Sequence, residues 1–316
     1  MSVHIKGISS FFVGEELVTL EGLSAELRYS IPGNPPRLSS PNGTHAVGQL
    51  YVQKVELVQP RAKFPLMMWH GGGLSGVTWE TTPDGRTGWQ DFFLRHGHNT
   101  LVSDASERGR ASWPMYPEIA EAKPEHRPID VAWHMFRFGP PGGYHRDPKK
   151  RITFDGLLFP IAFADQFLCQ FVARWTDRSS DDRAQKSYDA YVQAAGPAVI
   201  IAHSQGGYYA INSASRYPDA VKALILIEPV VPIAEEFSVE QLRSIPVLMV
   251  LGDNKPANER RSNFLSKLME VSACVEVFDL PAMGIYGNSH MIMMDRNSDA
   301  VAALIQDWIR KKDLMQ

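Results

Sequence analysis

The sequence has few cysteines for its length, and this scarcity argues against one class of protein, the small disulfide-rich fold. Its 316 residues include two cysteines, Cys169 and Cys274, so nothing indicates a small fold stapled by disulfides. A chain of this length can bury a substantial core without such bonds. We expect both residues to be buried free thiols, because Cys169 falls on an apolar helical pattern and Cys274 begins a strand.

A large net charge and long apolar runs are also missing. The formal net charge is −3, which gives no electrostatic reason to expect a nucleic-acid partner. No apolar run approaches the length that crosses a bilayer, so we expect no membrane span. The first residues lack the apolar core of a signal peptide. A cytoplasmic location is therefore predicted, although an exported mature form that had lost its leader would read the same way.

What the sequence does contain is a series of short, continuous apolar runs separated by helical periods. Because such runs do not alternate with polar residues, they indicate strands covered on both faces, as in a mostly parallel sheet with helices on either side. Helical spacing is clearest after residue 262 and in the last twenty residues. The runs are Leu66–Trp69, Thr100–Val102, Ala198–Ala202, Ala223–Ile227, Val247–Leu251 and Val275–Phe278.

One connection between predicted strands is far too long. More than 90 residues separate Ser103 from Ala198, whereas a crossover helix and its loops need about 30. The excess is rich in proline and aromatic residues, and it includes a predicted helix with Phe163, Phe167, Phe171 and Trp175 in register. We therefore predict one domain over residues 1–316, with a cap inserted at about 111–195 before the next strand.

A serine follows the third of these runs, Ala198–Ala202, in a strand–turn–helix context. The strand leads into Ala202-His-Ser-Gln-Gly206, and a helix follows. A sharp turn of this kind exposes the serine oxygen and points a helix N-terminus at the reacting carbon. A serine that only caps a helix is the plainer alternative. With the features that follow, the pattern favours Ser204 as a nucleophile.

Glycines follow the first buried strand, in His70-Gly-Gly-Gly73. Such a loop lets backbone N–H groups approach a developing oxyanion without obstruction by side chains. An ordinary glycine-rich turn would explain the glycines but not their place after a central strand. We predict the N–H groups of Gly72 and Gln205 as the two donors.

A histidine lies late in the chain, in the loop between the last strand and the last helix. Among ten histidines, His290 alone has the chain order and loop context of a catalytic base. His96 and His98 lack a third ligand at metal spacing, so we predict no metal site and no cofactor.

Two acids compete for the third catalytic position. Glu228 ends the strand Ala223–Ile227, and Asp253 follows the next strand. An unpaired carboxylate is costly to bury, so a glutamate directly after a buried strand needs a partner. We favour Glu228 and interpret Asp253 as a turn-capping acid.

With these residues in place, the chain resembles the α/β-hydrolase superfamily, and within it a divergent bacterial carboxylesterase group whose triad acid is a glutamate after the sixth strand. Most α/β-hydrolases place the acid one strand later, often as the fourth residue of G-x-x-D, where this chain has Lys255. A member of the group carries joined adjacent cysteines where this chain has Gly72-Gly73, so that bridge is absent here. The matching segments are Gly7–Gly14, Thr78–Arg86, Arg108–Arg110, Phe136–Pro140, His203–Gln205, Glu228–Pro229 and Gly287–Met291.

The resemblance implies cleavage of a carboxylic ester through an acyl-enzyme, with Ser204 as nucleophile, His290 as base and Glu228 as acid. A small-molecule ester is the expected partner, and the resemblance also implies a homodimer. A lactonase or amidase would use the same residues, whereas an acyltransferase, a lyase or a binding protein with a dead site would differ in class. We expect the substrate pocket to be walled by aromatic residues of the cap together with Leu74, Trp79 and Met291.

Overall fold

The structure, a computed structural model, describes residues 2–316. Its strands are β1 (Ile5–Val13), β2 (Glu16–Leu20), β3 (Glu26–Arg28), β4 (Arg37–Ser39), β5 (Gly43–Val47), β6 (Leu50–Leu57), β7 (Leu66–Trp69), β8 (Thr100–Asp104), β9 (Ala198–His203), β10 (Val221–Ile227), β11 (Val247–Leu251) and β12 (Val275–Asp279). Its α-helices are α1 (Val77–Glu80), α2 (Trp89–Arg95), α3 (Ile129–Met135), α4 (Ala164–Leu168), α5 (Arg178–Ala195), α6 (Gln205–Arg216), α7 (Glu259–Val271) and α8 (Ser298–Lys311).

Eight of these strands form one sheet, in the order β1-β6-β8-β7-β9-β10-β11-β12. The strands from β7 to β12 run parallel, and β1 and β6 add two antiparallel strands at one side. Every residue of β7, β8, β9 and β11 is buried, because helices cover both faces. The predicted mostly parallel sheet between two helical layers is confirmed.

Neighbouring residues of a central strand enter two different cores. Met68 packs with Trp89 and Trp308 on the face covered by α2 and α8. The next residue, Trp69, lies on the opposite face with α5 and α6, where its ring stacks on Tyr188 at 4.0 Å between centroids. The sheet therefore fixes the carboxyl ends of its parallel strands between two packed layers, and the candidate site lies at those ends.

The helix α5 belongs to the sheet and not to the predicted insertion. It contacts α6, β1 and β6, and the hydroxyl of Tyr191 donates a hydrogen bond of 3.1 Å to the carbonyl of Leu101 in β8. The cap boundary at residue 195 was therefore wrong by about one helix. The part of the insertion with little regular structure ends at Asp177, the residue whose side chain caps α5.

The predicted aromatic helix of the insertion is also wrong in its extent. A regular helix covers Ala164–Leu168 alone, and beyond it the chain becomes extended. The N–H of Val172 donates to the carbonyl of Gly73 at 3.0 Å, and Arg174 exchanges two backbone hydrogen bonds with Glu125. These pairings take the backbone donors that a longer helix would have used. The aromatic side chains gather instead by tertiary packing.

The two cysteines are not buried thiols. Cys169 is exposed and Cys274 is partly exposed, because α4 ends at Leu168 and the apolar pattern that would have covered Cys169 ends with it. Within residues 2–316, no helix combines the length and the apolar content needed to cross a bilayer.

Candidate active site

Ser204 occupies a strained turn between β9 and α6. Its φ of 51° is unfavourable for a residue with a side chain. Two hydrogen bonds hold this conformation: the N–H of Ser204 donates to Ile227 at 3.0 Å, and its carbonyl accepts from Val230 at 2.9 Å. The turn also requires small neighbours, because a Cβ on Gly206 would lie 2.5 Å from the His70 carbonyl oxygen. The fold thus maintains a strained serine at the head of a helix.

The glycine loop, residues 71–73, lies directly against this turn. A Cβ on Gly71 would come within 3.0 Å of the Cβ of Ser204, and one on Gly72 would lie 2.8 Å from Oε1 of Gln205. Only residues without side chains allow this approach. The two predicted oxyanion donors, Gly72 and Gln205, therefore lie on facing segments beside the serine.

A buried histidine holds the glycine loop in place. Nε2 of His70 accepts a hydrogen bond of 3.0 Å from the N–H of Ala105, so the proton is on Nδ1, which donates to the Gly71 carbonyl at 2.8 Å. Burial lowers the pKa of His70 to about 4. The imidazole is therefore neutral at physiological pH and connects the glycine loop to the end of β8.

His290 lies in the loop between β12 and α8, and its backbone is held on both sides. Its N–H donates to the carbonyl of Phe136 at 3.0 Å, and its carbonyl accepts from Nε2 of His203 at 2.9 Å. The preceding residue is fixed by the buried Asp295, which accepts from the N–H of Ser289 at 2.8 Å and from its hydroxyl at 2.7 Å. Burial raises the pKa of Asp295 to about 7.

Glu228 follows β10, the sixth strand of the main sheet along the chain, and its carboxylate is buried. Arg137 donates two hydrogen bonds to this carboxylate, at 2.9 and 2.6 Å, and the N–H of Gly252 donates a third. Nδ1 of His290 lies 3.8 Å from Oε2 of Glu228. The carboxylate is thus the acid beside the imidazole, and it is held there by a guanidinium.

The electrostatics of this cluster keep the acid charged and the imidazole neutral. Burial raises the pKa of Glu228, but His290 and Arg137 outweigh it and hold that pKa well below its usual range. Burial lowers the pKa of His290, Glu228 opposes this shift, and Arg137 adds to it. A neutral imidazole beside an ionised carboxylate is the arrangement that a general base needs.

Ser204 and His290 line two adjoining cavities, with Met135 and Val230 also shared between them. The larger has a volume of about 760 Å³ and extends past Glu228 towards α7. The smaller, of about 250 Å³, lies on the side of Gly72 and Gln205. A substrate with two arms on either side of one reacting carbon fits this division.

Comparison with known proteins decides the family. A solved structure of a bacterial esterase is 32% identical, with a TM-score of 0.80, over 99% of this chain and 98% of that one. The chain belongs to the α/β-hydrolase family. It is also 24% identical to a probable secreted lipase, phiG, of Fungal sp. (strain ATCC 74256), over 83% of this chain and 86% of the relative. No family model matches the sequence.

In this α/β-hydrolase, Asp253 does not contact His290. Its carboxylate accepts a hydrogen bond from the N–H of Gly287, and its own N–H donates to the carbonyl of Asn288 at 3.0 Å. Asp253 therefore anchors the loop that carries His290, which is the capping role that the sequence suggested for it.

The predicted pocket wall is wrong in three positions. Leu74, Trp79 and Met291 are completely buried and belong to the core beneath the sheet ends. Neither cavity beside Ser204 is lined by them. Their apolar character and their closeness in sequence to site residues predict a place in the pocket wall, but the backbone turns their side chains into the core. Met135, Phe136 and Phe154 of the insertion line the cavities instead.

Sequence reasoning gave no role to Arg137. In the sequence, the segment Phe136–Pro140 matters only to the resemblance, yet its Arg137 forms an ion pair with Glu228 at 2.6 Å. The signal available was indirect: a buried glutamate needs a partner, and its partner is more than ninety residues away in sequence. Among residues 2–316, no group of three His, Cys, Asp or Glu side chains is arranged to hold a metal ion.

Proposed function

We propose that this carboxylic ester hydrolase works through an acyl-enzyme on Ser204, with His290 as general base and Glu228 as the triad acid. The observation that carries the proposal is the cluster of these three residues at one cavity, with Glu228 ionised and His290 neutral. A small-molecule carboxylic ester is the substrate. Ester hydrolysis itself rests on the esterase and lipase relatives.

In the first half of the reaction, Oγ of Ser204 attacks the ester carbonyl carbon while His290 takes the hydroxyl proton. The oxyanion of the tetrahedral intermediate accepts hydrogen bonds from the N–H groups of Gly72 and Gln205. His290 then returns the proton to the leaving alcohol as the carbon–oxygen bond breaks. Water attacks the acyl-enzyme in the same way, which releases the acid and restores Ser204.

Glu228 supports this cycle without exchanging a proton. Its charge stabilises the imidazolium that forms when His290 accepts the proton, and its position orients the ring. Arg137 keeps the carboxylate ionised and fixed from the opposite side. A cap formed by about residues 111–177 covers the site and supplies Met135, Phe136 and Phe154 to its walls.

Removal of either reacting side chain tests the proposal. Ser204→Ala and His290→Ala should each lower kcat for a p-nitrophenyl ester by at least about three orders of magnitude, because the triad acts as a unit. Far-ultraviolet circular dichroism and the thermal midpoint of each variant serve as the folding control. Near-wild-type turnover in either folded variant would contradict the proposed triad.

Assembly and location are separate proposals. The homodimer implied by the resemblance predicts a solution mass near twice 35.3 kDa, which light scattering after size exclusion measures. A monomer mass at all concentrations would overturn it. Cytoplasmic or exported location stays a prediction that fractionation of the native cells tests.

A further inference from the structure

Two guanidiniums line the smaller cavity beside Ser204. Arg127 and Arg174 share it with Gly72, Gln205 and the reacting serine. Among the residues that the structure describes, neither arginine forms an ion pair with an acid. Arg127 donates one long hydrogen bond, of 3.4 Å, to the carbonyl of Gly72, and Nε of Arg174 is buried without a partner.

The backbone around the glycine loop places both arginines beside the predicted oxyanion donors. The N–H of Val172 donates to Gly73, and residue 174 pairs with residue 125 by two backbone hydrogen bonds. A Cβ on Gly72 would lie 3.6 Å from Nη1 of Arg174, and one on Gly73 would lie 3.0 Å from Nη1 of Arg127. The two cations are therefore held at the site by the same strand-like pairing that ended the predicted helix.

Among the described residues, no nearby acid forms an ion pair with either arginine. Glu107 is occupied by Arg183 and Ser180, and Glu125 is exposed to solvent. Burial lowers the pKa of Arg127, the charge of Arg174 lowers it further, and the exposed Glu125 opposes this shift. Arginine does not give up its proton under these conditions. Two like charges that are partly buried together cost free energy, and unsatisfied charge of this kind is characteristic of functional sites.

We infer that Arg127 and Arg174 bind a carboxylate carried by the substrate, so that the preferred ester is one with a free acid group a short distance from the reacting carbonyl. This inference deepens the proposed function and rests on Ser204 being the nucleophile. A pair of guanidiniums presents parallel N–H donors that match a planar carboxylate. The volume of about 250 Å³ limits the acidic arm to a short chain.

The larger cavity is a poorer place for this anion. Arg137 is already bound to Glu228, and Lys255 is bound to Asp279 at 3.0 Å. Arg261 is the remaining cationic side chain that lines the larger cavity, so the lining offers a single free guanidinium and not a pair. It also makes no ion pair among the described residues, which makes it a matched control for charge at the other side of Ser204.

The test compares esters that differ only in one charge. The first pair is mono-p-nitrophenyl glutarate and its neutral methyl ester, which places the carboxylate on the acyl arm. The second pair is 4-acetoxybenzoate and its methyl ester, which places it on the alcohol arm. In the wild type, kcat/KM should favour the charged member of at least one pair by about 10- to 100-fold, as expected for hydrogen bonds to a charged group.

Variants then assign the preference to the two arginines. Arg127→Gln, Arg174→Gln and the double variant should lose it mainly through a higher KM for the charged ester, with the neutral ester affected by less than about threefold. Arg→Lys variants should retain part of it. Arg261→Gln should keep the wild-type ratio. Turnover of the neutral ester shows that each variant has folded. Glutarate should also inhibit the wild type more strongly than butyrate, which needs no variant.

The outcomes separate this inference from the proposed function. A wild type that prefers neither charged ester, or that prefers the neutral one, overturns the carboxylate site while leaving the esterase intact. Equal losses on charged and neutral esters in the arginine variants would also overturn it, because they would show a role in the reaction common to all esters. Loss of the charge preference in Arg261→Gln alone would assign the anion site to the larger cavity and overturn its assignment to Arg127 and Arg174. No turnover of any ester would instead contradict the proposed function.

Discussion

The chemistry of this site depends on single residues, and two acids are candidates for the position beside His290. Glu228 lies 3.8 Å from Nδ1 of His290, whereas Asp253 binds the backbone of the loop before it. The sequence favoured Glu228 because a buried carboxylate requires a partner. It could not identify that partner, since Arg137 approaches from a distant part of the chain.

Matched amide substitutions test this choice. Glu228→Gln should lower kcat by about 100-fold or more, because the imidazolium loses the charge that stabilises it. Asp253→Asn should cost less than about tenfold, because an amide oxygen can still accept from Gly287 and one neutral hydrogen bond contributes about 1 kcal/mol. The reverse ranking in steady-state assays would assign the role to Asp253.

Burial and Arg137 together should set the acid limit of activity. His290 acts as a base when neutral, so kcat/KM is lost as the pH falls through its pKa. Burial and Arg137 lower that pKa below the ordinary histidine value of 6.5. The acid limb should therefore lie below pH 6.5 in the wild type and move to higher pH in Arg137→Gln. A limb that stays in place or moves to lower pH would contradict this account of the site's charges.

At the scale of elements, the sequence predicted the strands far better than the insertion. Continuous apolar runs located every strand from β7 to β12. The inner strands of this set are buried on both faces, and the edge strand β12 is partly buried along its whole length. The edge strand β1 was missed since most of its residues are exposed. The predicted extent of the aromatic helix is wrong because helical spacing is a local pattern. Val172 and Arg174 instead form backbone hydrogen bonds with residues distant in the sequence.

The short helix α3 gives a test of the cap. Met135 lines both cavities beside Ser204, whereas Val131, exposed on the same helix, lines neither. Met135→Ala should change the ratio of kcat/KM between a small acetate ester and a bulky aromatic ester by about threefold or more, through lost apolar contact. Val131→Ala should leave the ratio unchanged. Equal proportional losses on both esters in Met135→Ala would show that α3 is scaffold and does not influence the choice of substrate.

At the scale of the whole molecule, the sheet explains why the site residues meet. Ser204, Glu228 and the loop before His290 follow β9, β10 and β12, whose carboxyl ends lie at one edge of the parallel sheet. Strand order and turn chemistry therefore sufficed to predict from the sequence that Ser204, Glu228 and His290 lie together at this edge. The charged surroundings, Arg137 on one side and Arg127 and Arg174 on the other, come from the insertion, whose irregular path follows no repeating pattern.

Covalent labelling with a fluorophosphonate, read by mass spectrometry of the intact protein and its peptides, tests most directly whether Ser204 is the nucleophile. We expect one adduct per chain, on Ser204, which blocks ester turnover in proportion to labelling and does not form in Ser204→Ala or His290→Ala. An adduct on another residue that tracks the loss of activity, or an active enzyme that stays unlabelled, would contradict this expectation.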